Sequence, residues 1–218
     1  MKKREIVFAT SLFKTIRFNF HYFGLKGVFR PRVLVARNVR LVKLGGSVEA
    51  SKTPVAGIKI GFGTIGIIDE TCQRSVLEIN GKIVFEGRCT LGVNTRIVVG
   101  KDGELEFGSN AVMNGGSSVI CYRSVRVGEE ALVSWECLIM DTDFHSIYAS
   151  DGKCINENEP IVIGSHVWIG CRTAIHKGAV IPSNCVIASC SKITGVLEQT
   201  NCVYANNKII RAAINWRI

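Results

Sequence analysis

Paired cysteine spacings are missing from this sequence: its nine cysteines form no CxxC motif, and their number is odd. That excludes a disulfide framework or a zinc ribbon and suits a reducing compartment. Proline is scarce, with four residues against 22 glycines, so tight turns are expected in greater number than a helical protein needs. No apolar run reaches the ~18 residues of a membrane-spanning helix. The opening "MKKREIVFATSLF" has a basic head and a short apolar stretch. Lys14 and Arg17 interrupt it and no small-residue cleavage site follows, so a signal peptide is not expected. Acidic residues are nearly absent from the first fifth of the chain. Residues 1–43 contain 11 Lys/Arg and one acid, Glu5, for +10; the remaining 16 bases and 17 acids sum to −1. The basic character of the protein therefore belongs to one segment. With Phe18, Phe20, Tyr22 and Phe23 among its bases, that segment is compatible with weak contact to an anionic membrane surface, or with a helical cap on a repeat fold. No nucleic-acid partner is expected.

What is present is a beat of six. From residue 163 the chain reads "IGSHVW IGCRTA IHKGAV IPSNCV IASCSK ITGVLE", with isoleucine at 163, 169, 175, 181, 187 and 193. Four positions after each of the first five stands Val167, Thr173, Ala179, Cys185 or Ser191. The same register runs through Val127, Val133 and Ile139, and earlier through Phe85, Leu91, Phe107 and Met113. Neither a 3.6-residue period nor strict alternation gives this pattern. One large and one small inward side chain per hexad describes very short strands joined by sharp corners, a parallel β-solenoid. Residues 1–40 are read as a basic aromatic cap and 41–205 as the β-helix. Residues 206–218 are read as a C-terminal tail or short helix.

The beat breaks at "LIMDTDFHSIY", residues 138–148. By register Asp143 falls in the small inward slot and His145 in the next large one. A carboxylate buried in a narrow prism costs several kcal/mol unless it is paired, so the chain must leave the coil here. The beat returns only at Ile163, 24 residues after Ile139, making 145–162 an excursion loop rich in polar and turn residues. A histidine at the root of a loop on a rigid scaffold is suited to general-base work on a hydroxyl. Asp143 and Asp141 are the candidates to orient it. His166, in a predicted corner, and His176, after an inward isoleucine, are expected to be solvated. His21 cannot be assigned.

The stretch "PIVIGSHVWIGCRTAIHKGAVIPSNCVIASCS", with the upstream "DTDFH" string, closely resembles the hexapeptide-repeat O-acyltransferases of sugars and surface polysaccharides. The resemblance covers roughly residues 80–211. It implies a left-handed parallel β-helix and a homotrimer with active sites between chains. It also implies acetyl-CoA as donor and a small-molecule or glycan hydroxyl as acceptor; the cysteine pattern adds the expectation of a cytoplasmic location, with the basic segment able to place the protein at the inner membrane. By this resemblance His145 is the catalytic histidine and Trp168 lies beside the thioester arm of the coenzyme. Cys171 and Ser189 match coenzyme-contacting positions, and Thr194 and Arg211 match positions near its phosphates. The sequence departs from the pattern at Gly195 and at "ANNKI", 205–209, where Lys192 or Lys208 is left to supply charge. No metal is expected. The alternatives are a metal-dependent relative of the γ-carbonic-anhydrase kind, which would need His145, His166 and His176 as ligands, and a non-catalytic glycan-binding solenoid.

Overall fold

Strands of two to six residues recur along the chain and fall in rotation into three parallel sheets. The computed structural model describes all residues except 1–5, 7, 8, 64, 65, 70, 71 and 218. The first sheet has nine strands, running from Val33–Val35 through Leu132–Val133, Trp168–Ile169 and Val186–Ile187 to Lys208–Arg211. The second has seven, from Val39–Leu44 through Leu138–Met140 and Ala174–His176 to Lys192–Ile193. The third has six, from Ser47–Glu49 to Val180–Ile181. Each strand pairs with the equivalent strand one coil away. Ile139, for example, lies between Val119 and Ile175, so inward residues stack in columns.

The hexad reading holds residue by residue. The six isoleucines of the beat are at most 1% exposed, and Val167, Thr173, Ala179, Cys185 and Ser191 are buried beside them. Each fully buried Ile or Val contributes about 1.5–3 kcal/mol, which makes the column of large inward side chains the main source of stability. Between strands the backbone turns through a left-handed residue, as at Glu130, His166 and Asn184, with φ of 54°, 54° and 62°. Coil spacing leaves no room for side chains beside the corners. A Cβ added at Gly128 would lie 2.5 Å from the Gly164 carbonyl carbon, and the same need holds at Gly164 and Gly170.

Both ends of the solenoid are closed by chemistry legible in the side chains. Helix α1 (Leu12–Phe29) starts at the N-cap Ser11 and kinks at Gly24. Its inward Asn19 donates to Val33 O (2.7 Å) and accepts from Arg32 N and Val33 N, while Thr15 Oγ1 accepts from Val35 N. These bonds occupy the open edge of the first strand. That strand begins at Val33, inside the stretch the charge pattern sets apart. At the far end the expected C-terminal helix is absent: among the described residues, 206–217 contain none. Val203–Ala205 instead turns through Asn206 and Asn207 into antiparallel Lys208–Arg211. The reason lies in the two asparagines. Asn206 Oδ1 accepts from Lys192 N and Asn207 Oδ1 from Thr194 N, so the turn satisfies the last exposed backbone edge, which a helix would leave open. No helix is long and apolar enough to cross a membrane among the described residues.

Candidate active site

Strand Leu138–Met140 ends at a corner where Asp141 turns inward and is fully buried. Its carboxylate accepts three backbone N–H bonds from the coil below, from Tyr122 (2.7 Å), Arg123 (2.8 Å) and Ser124 (2.8 Å). That satisfies the buried charge and locks the root of the excursion onto the scaffold. Beside it the Cys121 thiol is pushed up, first by burial and then by the Asp141 charge, so it stays protonated. The chain then leaves the prism. Asp143 is exposed rather than inward, and the coil resumes at Ile161, which pairs with Val125.

The excursion is an organised hairpin held by Asn156 of the loop and by Lys177, which the sequence pattern did not single out. Lys177, on the next coil, sets its ammonium 2.5 Å from Asp143 Oδ2 and donates to the carbonyls of Asn156 and Glu157. Asn156 donates to Asp143 Oδ2 (3.0 Å) and His145 O (2.8 Å), and accepts from Ile147 N. Arg123 donates to Asn158 O. Lys177, and then Asn156, hold the Asp143 carboxyl below its ordinary value.

His145 is thus fixed through its backbone: its N–H donates to Asp143 O (2.7 Å) and its carbonyl accepts from Asn156. Its side chain is exposed, and no described residue hydrogen-bonds the ring. Neither Asp141 nor Asp143 hydrogen-bonds the ring among the described residues: Asp141 is taken up by three amides, and Asp143 Oδ2 by Lys177 and Asn156. His176 is half-buried on the second sheet in the same row as Met140. Burial, followed by the charge of Lys192, lowers its pKa, so it is not the solvated residue expected. His166 is not solvated either. Its ring stacks on Trp216 at 4.2 Å, and Trp216 Nε1 donates to His166 O, because the C-terminal tail runs back along this corner. No group of three or more His, Cys, Asp or Glu among the described residues is placed to hold a metal ion.

Most of the remaining candidates sit on another side of the prism. Trp168 is 40% exposed on the first sheet, in an outward row with Val112, Leu132, Val186 and Val203. Its indole N–H donates to Ser134 Oγ (3.1 Å), and Trp216 stands 6.0 Å away. Cys171 and Ser189 lie on adjacent coils at the corner between first and second sheets, where Cys190 N donates to Cys171 O. Thr194 falls at the opposite end of the second sheet, after Ile193, and Asn207 brackets it. Arg211 is exposed in the terminal hairpin, paired with Val203. Trp168, Cys171 and Ser189 therefore gather at one edge. The His145 loop and Thr194 stand across the second sheet from them, and one chain does not join the two groups.

No protein-family model matches the chain. It is 31% identical over 79 residues to the polysialic acid O-acetyltransferase of Neisseria meningitidis, covering 35% of this chain and 37% of that one. It is 25% identical over 121 residues to a probable acetyltransferase of Mycobacterium tuberculosis, covering 53% of this chain and 40% of that protein. The chain thus spans less than half the length of these two curated relatives. Among solved structures, the polysialic-acid-specific acetyltransferase NeuO superposes with a TM-score of 0.56 at 21% identity, over 83% of this chain and 89% of that one. The chain resembles the hexapeptide-repeat O-acetyltransferases in sequence and has their left-handed parallel β-helix fold.

Proposed function

We propose that this protein transfers an acyl group, acetyl in the simplest case, from coenzyme A to a hydroxyl of a sugar or surface-polysaccharide precursor. The observation that carries this reading is the state of His145: its backbone is pinned at the root of a braced loop, while its ring is exposed and takes no hydrogen bond from any described residue. A ring so held is available to take the proton of an acceptor hydroxyl as its oxygen attacks the thioester carbonyl. The tetrahedral intermediate then collapses, the C–S bond breaks, and the imidazolium returns its proton to the departing thiolate. Relatives named as acetyltransferases, one of them acting on polysialic acid, support the reaction class and a glycan acceptor.

The donor site we assign to Trp168, Cys171 and Ser189, with Thr194 and Arg211 toward the phosphates. Separation of this edge from the His145 loop supports a site built from two chains, and hence a homotrimer with three clefts. The outer faces are consistent with such packing. The third sheet carries ion pairs, Lys82 with Glu49 and Glu104 and Arg126 with Glu106, whereas the first and second carry the apolar rows of Leu132 and Trp168 and of Ile120 and Met140. Work on surface-glycan precursors fits a cytoplasmic location. His145→Ala, assayed as free thiol released from acetyl-CoA across a panel of sugars and sialic acid polymers, should lose about 10²–10⁴-fold in turnover with unchanged folding. Retained turnover would remove His145 from the mechanism.

A further inference from the structure

We infer that helix α1 and the groove beside it form a docking face for an anionic lipid bilayer, at the N-terminal end of the solenoid. The inward stripe of α1, Thr15, Phe18, Asn19, Tyr22 and Phe23, is spent on closing the first coil. The opposite stripe and the stretch after the Gly24 kink are apolar as well. Leu12, Phe13 and Phe29 are 72%, 75% and 82% exposed, and Ile16, Phe20 and Leu25 are 40%, 54% and 68% exposed. Isolated exposed apolar residues are ordinary, but six on one short helix, three of them phenylalanine, mark an interaction surface. Next to them a groove of about 890 Å³ opens between the end of α1 and the first coil, lined by Leu25, Phe29, Arg30, Val48 and Val55.

Charge selects the occupant. The exposed apolar side chains alternate with exposed Arg17, Lys26 and Arg30, and α1 contains no acid. A second copy of the chain would bring two segments of +10 face to face, which repel. An anionic leaflet attracts the same bases, about fivefold in binding per Lys or Arg at its surface, while its acyl boundary takes the phenylalanines. Geometry agrees, since α1 covers the terminal strand edge and turns its apolar stripe outward. The His145 loop lies further along the axis. From Val39–Leu44 to Leu138–Met140 the second sheet takes four strand steps, about 19 Å at roughly 4.8 Å each. If the proposed transfer is right, an acceptor held at the membrane must reach at least that far.

The test is flotation of the full-length protein with vesicles of phosphatidylcholine alone and of phosphatidylcholine mixed with phosphatidylglycerol. The wild type should float with the anionic vesicles and be released by salt. Phe13→Ser/Phe20→Ser/Phe29→Ser and Arg17→Glu/Lys26→Glu/Arg30→Glu should each bind about tenfold or more weakly. Because these side chains are exposed, both variants should keep the wild-type melting temperature and the wild-type thiol release with a soluble acceptor. Failure to float, or flotation that the aromatic variant leaves unchanged, overturns the inference. So does growth of the particle with concentration in light scattering that the aromatic variant abolishes, since a second copy would then be the occupant. His145→Ala should float like the wild type, which separates this outcome from that of the transfer assay.

Discussion

The two aspartates of the "DTDFH" string have opposite fates, and counting hexads foresaw only that of Asp143, whose inward slot cannot hold a carboxylate. Asp143 occupies the inward slot by register but points into the loop; Asp141 is the buried one, because three unpaired amides wait for it at the corner of residues 122–124. Those amides belong to the previous coil and are invisible to a count along one strand. Asp141→Asn keeps an acceptor but removes the charge and sets an NH₂ against backbone N–H groups. It should cost about 1–3 kcal/mol of stability in denaturant unfolding, without a direct effect on chemistry. Asp143 acts through Lys177. Its carboxyl is depressed in the folded state, chiefly by the Lys177 bond, so the stability it adds is present above the unfolded carboxylate pKa of ~3.9 and lost as pH falls through the folded value. Amide protection across residues 145–157, taken relative to the intrinsic exchange rate at each pH, should therefore be high at neutral pH and fall in acid below that range. In Lys177→Met it should be low throughout.

At the level of the element, the short strand with its corner is the unit, and the periodic isoleucines made it readable before any coordinates. The corner glycines were less readable, because what excludes a side chain there is the backbone of the next coil rather than anything nearby in sequence. Gly128→Ala tests this. Its Cβ would meet Gly164 backbone at 2.5 Å, so an overpacking loss of about 1–3 kcal/mol is expected as a lower melting temperature. The terminal hairpin makes the same point. "ANNKI" reads as a departure from the ending that the resemblance implies, yet its asparagine side chains close the edge left by Lys192–Ile193. His166 looked solvated for a related reason, as its partner Trp216 lies 50 residues away in the chain.

For the whole molecule, the central question is how His145 and Trp168 meet. They stand on different sides of one prism, so the proposed site needs a neighbouring chain to complete it. Sedimentation should give a trimer. Mixed trimers refolded from His145→Ala and Trp168→Ala chains should be more active than either parent, because some clefts then combine an intact histidine from one chain with an intact tryptophan from another. If mixing restores nothing although each parent alone is trimeric, the two residues do not share a site across chains.

Sequence alone determined the solenoid, its inward columns, the position of the excursion and the histidine at its root, because six-residue periodicity is a local property and every break in it is local too. Tertiary structure alone decided which aspartate is buried, that Lys177 and Asn156 brace the loop, that a hairpin and Trp216 finish the chain, and that α1 shows phenylalanine to the outside. Each of those depends on groups one or more coils apart, brought together by the stacking of coils and by the need to pair every buried backbone group.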